Sequence, residues 1–242
     1  MTEVRRRIDA AWLQEAPLAH LLAALDRAGE EARVVGGAVR NALLDEPPGD
    51  IDVATTAPPD EVIRRVEAAG FKAVPTGIDH GTVTVVADGR PLEVTTLRED
   101  VETFGRHAKV AFGRDWQRDA ERRDFTINAL SASRDGTIHD YVGGLADIAA
   151  RRVRFIGDAA TRIAEDYLRI LRFFRFHAAY GEGVLDREGL TACIAARAGL
   201  DRLSRERVRM EVFKLVVARH AVPTLATMTE AGLLEQVLGG VP

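Results

Sequence analysis

The chain has a single cysteine, Cys193, among its 242 residues. It cannot close an internal disulfide, so a disulfide-stapled scaffold is excluded and a reducing compartment fits. No stretch approaches the roughly eighteen apolar residues of a membrane span. The opening MTEVRRRIDAAW has no apolar segment of the kind a secretory leader carries. These absences point to a cytoplasmic protein without a membrane partner. Aromatics are scarce at 6%, but hydrophobic residues make up 46% and charged residues 29%. That is ordinary globular composition, which excludes disorder and fibres. The six histidines show neither HxH nor HExxH spacing, so zinc is not indicated. No Ser/His/Asp constellation stands out. The net charge of -4 argues weakly against nucleic acid, but it is unevenly spread. Residues 1–150 hold 18 Lys+Arg against 26 Asp+Glu, and residues 151–242 hold 15 against 11. The acidic half suits cations and the basic half suits phosphates. Halves of ordinary proteins differ as much, so charge alone does not decide.

Patterning divides the chain in the same way. Residues 4–28 have helical spacing, with Leu18, Leu21, Leu22 and Leu25 on one face. Arg33-Val34-Val35 reads as a strand ending at Gly36-Gly37, and Ala38 to Leu44 as a helix closed by Pro47-Pro48-Gly49. Asp50 to Thr55 reads as a strand and Asp60 to Ala69 as a helix. GTVTVVA and PLEVTTL flank Asp88-Gly89, a hairpin signal. From Thr161 onward the periodicity is helical over 161–179, 187–198, 204–220 and 223–237. The expectation is an α+β sheet domain followed by an all-α domain. Gly239-Gly240-Val241-Pro242 follows directly on a helix, which reads as a truncated helical body.

The first chemical motif is Val35-Gly36-Gly37-Ala38-Val39-Arg40 followed by Asp50-Ile51-Asp52. A strand ending in two glycines and opening a helix lets backbone N–H groups approach a phosphate, and Arg40 adds a charged fork. On one strand Asp50 and Asp52 share a face, with Cα atoms roughly 6.6 Å apart, and can share divalent ions for in-line attack on phosphorus. Taken singly, a Gly-Gly pair is more often a plain turn and a D-x-D a surface or capping feature; their ordered combination favours the site. Glu93, on the PLEVTTL run, either completes the metal cage from a neighbouring strand or faces solvent. In Arg122-Arg123-Asp124-Phe125-Thr126 the arginines can reach a triphosphate and Asp124 can cap a helix; capping with surface charge is the plainer reading.

Asp166, Arg169, Arg172 and Arg175 recur every three residues, which on a helix makes one slowly drifting ridge. A solvated charged face explains this. So does base recognition. Cytosine and adenine show an amino donor beside a ring-nitrogen acceptor, which one carboxylate and one guanidinium satisfy together. Uracil and guanine would meet acceptor with acceptor and donor with donor, a mismatch that gives strong rejection. Arg172 and Arg175 can then stack or hold phosphates. Arg197, Arg202, Arg205, Arg207, Arg209, Lys214 and Arg219 form either a solvated face or an RNA backbone track.

The set VVGGAVRNALL, DIDVATTA, EVTTLRED, RRDFTINALS and EDYLRILRFFRF closely resembles the class II tRNA nucleotidyltransferases, the CCA-adding enzymes, and bacterial poly(A) polymerase, over about residues 32–215. The resemblance implies a polymerase-β-like nucleotidyltransferase head over 1–150, a helical neck over 151–220 and the start of a body over 221–242. It implies metal-binding carboxylates at Asp50 and Asp52, a third catalytic carboxylate at Glu93, and nucleotide contacts at Gly36, Gly37, Arg40 and Arg123. Asp166 and Arg169 match the base-reading pair, and Arg172 and Arg175 the arginines that follow it. Residues 98–115, with Arg98, Arg106, His107 and Asp115, match a flexible loop used in switching from C to A. Mg²⁺, CTP, ATP and the tRNA 3′ end are the implied cofactor, substrates and partner. Asn41 stands where the family usually has Asp. Tyr167 stands where it has a small residue or proline, and alters neck packing or stacks on a base. The body and tail that hold tRNA are largely missing, which bears on tRNA affinity more than on chemistry. A poly(A) polymerase, a C-only or A-only enzyme, a non-catalytic RNA-binding module and a small-molecule nucleotidyltransferase are the alternatives.

Overall fold

A computed structural model of the chain describes residues 6–104 and 107–238. Arg106, the His107 side chain and the Gly239–Pro242 ending lie outside the described residues. The chain divides into two compact units. The first comprises residues 1–123 and 127–145, and the second residues 124–126 and 146–242.

The first unit is built on a seven-stranded mixed sheet. Its strands are β1 (Ala32–Val35), β2 (Asp52–Thr55), β3 (Lys72–Gly77), β4 (Thr82–Ala87) and β5 (Arg90–Thr96), with β8 (Ser131–Ala132) and β9 (Ile138–His139) at one edge. A separate two-stranded ladder, β6 (Arg98–Phe104) and β7 (His107–Phe112), occupies the segment expected as a loop. The sheet order is β3-β4-β5-β2-β1-β8-β9. β4 and β5 pair antiparallel from Thr82↔Thr95 to Ala87↔Arg90, so Asp88-Gly89 is the two-residue turn that sequence implies. β2 and β5 pair in parallel. The chain crosses between them by the Pro59–Ala68 helix and the β3–β4 ladder. Alternation along β4 sends Val83 and Val85 inward with Val53 and Val94, all fully buried. Leu18, Leu21, Leu22 and Leu25 of the Ala16–Leu25 helix bury the face their spacing predicts. That helix is shorter than the 4–28 periodicity: Pro17 sits in its first turn, where a missing N–H costs nothing, and a 3₁₀ turn, Ala11–Gln14, precedes it.

The second unit is helical, as expected. Its helices are Ala159–Glu165, Leu168–Tyr180, Arg187–Ala195, Arg205–Val216, Ala221–Glu230 and Leu233–Leu238, with a 3₁₀ segment at Arg197–Arg202. Phe125, Phe155 and Phe173 are fully buried and touch in series, with centroids 4.8 Å and 5.3 Å apart. Cys193 lies in this core, where burial pushes its thiol pKa up. Among the described residues no helix is long and apolar enough to cross a membrane.

The helix expected over 223–237 is two, Ala221–Glu230 and Leu233–Leu238, and two further differences from the sequence pattern touch candidate residues. Asp50 is not on β2. The chain bends at Asp50 after two prolines and Gly49 (φ +67°), and the strand begins at Asp52. The two-residue alternation argued for Asp50 and Asp52 therefore does not apply. The 161–179 helix is broken at Asp166, whose backbone is extended (φ -154°, ψ 108°). Hydrophobic spacing runs through the break, but an Asp side chain competes with the helix for backbone N–H groups and here takes that of Leu168 at 3.1 Å.

Candidate active site

The first unit gathers most of the candidate catalytic residues around the end of β1. Val35, its last residue, pairs with Asp52 across the β1–β2 ladder. Gly36 follows directly with φ 72° and ψ -121°, a conformation that favours glycine, and the Gly37–Leu43 helix starts next. A Cβ at Gly36 would make ordinary contacts, 3.4 Å from Arg123 Nη1 and 3.6 Å from the Asn128 carbonyl, so it is the backbone conformation that favours glycine there. On the other side of β2, Asp52 pairs in register with Glu93 of β5. Partners in register project to the same face, so the two carboxylates are cross-strand neighbours.

Electrostatics tie the group together. Desolvation, then the charge of Glu93, raise the Asp52 pKa above its ordinary value. Arg123 opposes the rise and Asp50 adds to it, so Asp52 feels all three charges. Among the described residues no cluster of three or more His, Cys, Asp or Glu side chains is poised to hold a metal ion. The donor chemistry nevertheless fits a hard divalent cation. Such an ion takes carboxylate oxygens, and Mg²⁺ keeps waters and accepts substrate phosphates alongside one or two carboxylates. The crowded negative charge that raises Asp52 is what a cation would neutralise.

The two arginines near this corner are held by side chains to which the sequence reading assigned no such role. Arg40 is buried at 6% exposure. Its Nη1 donates to Asn128 Oδ1 at 2.5 Å, and its Nε and Nη2 donate to Asn41 Oδ1 at 3.1 and 2.8 Å. Asn41 thus supplies a neutral acceptor to the Arg40 guanidinium. Asn41 Nδ2 in turn donates to the Pro47 carbonyl at 2.7 Å. Arg123 donates to the Asn128 carbonyl at 3.4 Å and pairs with Asp119 at 3.2 Å. Burial pushes Asp119 up, but Arg123 and Arg122 outweigh it and hold the carboxyl below its ordinary value. Asp124 caps no regular helix. Its Oδ1 accepts from the Phe125 N–H at 2.8 Å, and only a 3₁₀ turn, Thr126–Asn128, follows.

In the second unit the Asp166 turn stands between two helices. Asp166 Oδ1 takes the Leu168 N–H, and Oδ2 accepts from Arg207 Nη2 at 2.7 Å. Arg169 Nη1 donates to the Arg162 carbonyl at 2.7 Å and to Glu165. Arg172 pairs with Asp124 at 2.6 Å, and Arg175 donates to the buried Glu211 at 2.5 Å. Arg175 also lies over the Phe176 ring, 4.0 Å from its centroid. Arg172 and Arg175 are thus engaged within the unit's own framework. Of the basic run, Arg202 lies over Tyr167 and Arg209 over Phe213. Tyr167 packs into the space at Gly199, where a Cβ would overlap its ring. Asn128, Asp119, Arg207, Glu165 and Glu211 were missed as partners. Only Glu165 and Asp119 could have been found from sequence, by their i,i+4 spacing to Arg169 and Arg123.

A family model described as the poly(A) polymerase head domain matches residues 32–154. A second, described as the "probable RNA and SrmB-binding site of polymerase A", matches residues 185–241. The mitochondrial CCA tRNA nucleotidyltransferase 1 of Danio rerio is 46% identical over 208 residues, covering 85% of this chain and 48% of that protein. The CCA-adding enzyme of Leuconostoc citreum is 40% identical over 223 residues, covering 91% of this chain and 54% of that protein. The chain thus spans about half the length of these relatives. The crystal structure of the Bacillus stearothermophilus CCA-adding enzyme in complex with CTP superposes with a TM-score of 0.80 at 36% identity, over 90% of this chain and 52% of that one.

Proposed function

Because the chain belongs to the family of the poly(A) polymerase head domain, we propose that it is a template-independent RNA nucleotidyltransferase adding C, C and A to tRNA 3′ ends from CTP and ATP. The observation that carries the reading is the register pairing of Asp52 with Glu93 beside the Gly36 corner. It joins a crowded anionic pair to a tight backbone turn, which is what a metal-bound triphosphate requires.

In this reading Asp52 and Glu93, with Asp50, offer the carboxylate oxygens, and Gly36 and Gly37 keep the backbone bare at the phosphates. Bound Mg²⁺ ions supply charge neutralisation at the triphosphate and a lowered pKa at the attacking hydroxyl. Arg123, aimed by its ion pair with Asp119, faces the negative charge gathered around Asp52. Arg40, fixed by Asn41 and Asn128, holds the helix that follows the corner. The terminal ribose hydroxyl attacks the α-phosphorus in line, the new phosphodiester forms, and pyrophosphate leaves. Asp166 accepts the amino group of cytosine or adenine, and Arg169 donates to the ring nitrogen. The buried thiol of Cys193 accords with a cytoplasmic location.

The test mixes the protein with tRNA lacking its 3′ end, Mg²⁺ and each nucleoside triphosphate separately. CTP and then ATP should be incorporated while UTP and GTP are refused, and Asp52→Ala should abolish incorporation. Acceptance of UTP or GTP as readily as CTP overturns the base-reading assignment. Product length separates three nucleotides from a poly(A) tail or a single-base enzyme.

A further inference from the structure

The assignment of Asp166 as a base-reading acceptor leaves open what aims it. Its backbone is extended between two helices, and its carbonyl accepts from the Arg169 N–H at 3.0 Å, which ties the backbone but not the carboxylate. A lone carboxylate there would turn freely about its side-chain bonds. The structure supplies two restraints. One is local, the Leu168 N–H on Oδ1. The other comes from a distant part of the chain, the Arg207 guanidinium on Oδ2 at 2.7 Å. Arg207 stands in the first turn of the Arg205–Val216 helix, which Ser204 caps through the Arg207 N–H. The donor is thus itself anchored at its backbone.

We infer that Arg207 is a positioning residue for base selection: it fixes the plane and rotamer of the Asp166 carboxylate. Each carboxylate oxygen has two lone-pair sites. With one site on Oδ1 and one on Oδ2 taken, the remaining sites point in fixed directions for an incoming amino donor. A carboxylate so held presents acceptor sites to the amino group of cytosine or adenine and meets the carbonyl of uracil or guanine with acceptor against acceptor. Arg207 therefore touches no base, and it acts through Asp166. Its membership of the basic run had suggested RNA phosphates, and the ion pair gives it a different task. The inference rests on the base-reading role proposed for Asp166.

The experiment measures equilibrium binding of CTP and of UTP, with Mg²⁺ and without tRNA, to wild type, Arg207→Gln, Arg207→Lys, Asp166→Ala and the Arg207→Gln/Asp166→Ala double variant, with thermal melts alongside. Arg207→Gln should weaken CTP binding about ten- to hundredfold, the scale of a misaimed polar partner, and leave UTP nearly unchanged, so the CTP:UTP preference collapses with little change in melting temperature. Arg207→Lys should recover part of the preference. The double variant should be no worse than Asp166→Ala alone, since both act on one contact. If Asp166→Ala lowers the preference and Arg207→Gln does not, the Arg207 role is overturned and the base-reading role stands. If Arg207→Gln weakens CTP and UTP equally, Arg207 is a phosphate contact and the inference fails. If wild type binds CTP and UTP alike, or Asp166→Ala leaves the preference intact, the base-reading role falls and the inference with it.

Discussion

Asp119 is a nearly buried anion shared by Arg122 at 2.6 Å and Arg123 at 3.2 Å. Its folded pKa lies below the ordinary 3.8, so the ionised form stabilises the fold at neutral pH. That contribution is complete above the unfolded value and is lost as pH falls through the depressed folded one. Asp119→Asn should therefore lower stability by about 1–3 kcal/mol at pH 7. The gap to wild type should close in acid, below about pH 4; thermal melts across that range check it. At the site, Glu93→Gln should remove a charge that raises Asp52 and should cost at least about a hundredfold in nucleotide incorporation. A single-turnover assay with tRNA lacking its last nucleotide reads that loss, and unchanged activity would remove Glu93 from the site.

Tyr167 and Gly199 show how an element boundary is held by packing. The Tyr167 ring occupies the place of a Gly199 Cβ, and Arg202 lies over the ring at 5.5 Å. Gly199→Ala should destabilise the second unit by about 1–3 kcal/mol through overpacking. Adding Tyr167→Ala should recover part of that loss in a denaturant titration. The elements most legible in sequence were those fixed by local rules. The β4–β5 hairpin declared itself by alternation and an Asp-Gly turn, and the Ala16–Leu25 helix by its leucine spacing. Glu93 was legible as a candidate third carboxylate, but its parallel register with Asp52 was not, because such a register joins strands far apart in sequence and leaves no local mark. Asp50 was placed on β2 because alternation alone does not register the bend that two prolines and a glycine impose. The break at Asp166 was hidden for the opposite reason. Leu168, Ile170 and Leu171 continue the apolar periodicity of the preceding helix, while one side-chain hydrogen bond ends it. The ion partners of Arg172, Arg175 and Arg207 sit 36 to 48 residues away, beyond any spacing rule.

At the scale of the molecule, the chain leaves its first unit for three residues and then returns. Asp124 through Thr126 belong to the second unit, although residues 127–145 belong to the first. Those three residues are firmly tied. The Thr126 N–H donates to the Arg154 carbonyl at 3.1 Å and the Ile156 N–H to the Asp124 carbonyl at 3.1 Å. Thr126 Oγ1 donates to the buried Asp147 at 2.6 Å. Phe125 packs on Phe155, Phe173 and Phe176. Phe125→Ala should cost about 3–5 kcal/mol, and hydrogen exchange should show the loss in the second unit's helices. A fragment of residues 146–242 alone should melt without a cooperative transition, whereas the full chain should not.

The same excursion sets an order of events while the chain is being made. Phe125 emerges from the ribosome before Phe155 and the Leu168–Tyr180 helix that will enclose it. Until they follow, a large apolar ring of the second unit has no shelter. Slowing translation between these points should prolong the sticky interval and raise chaperone demand.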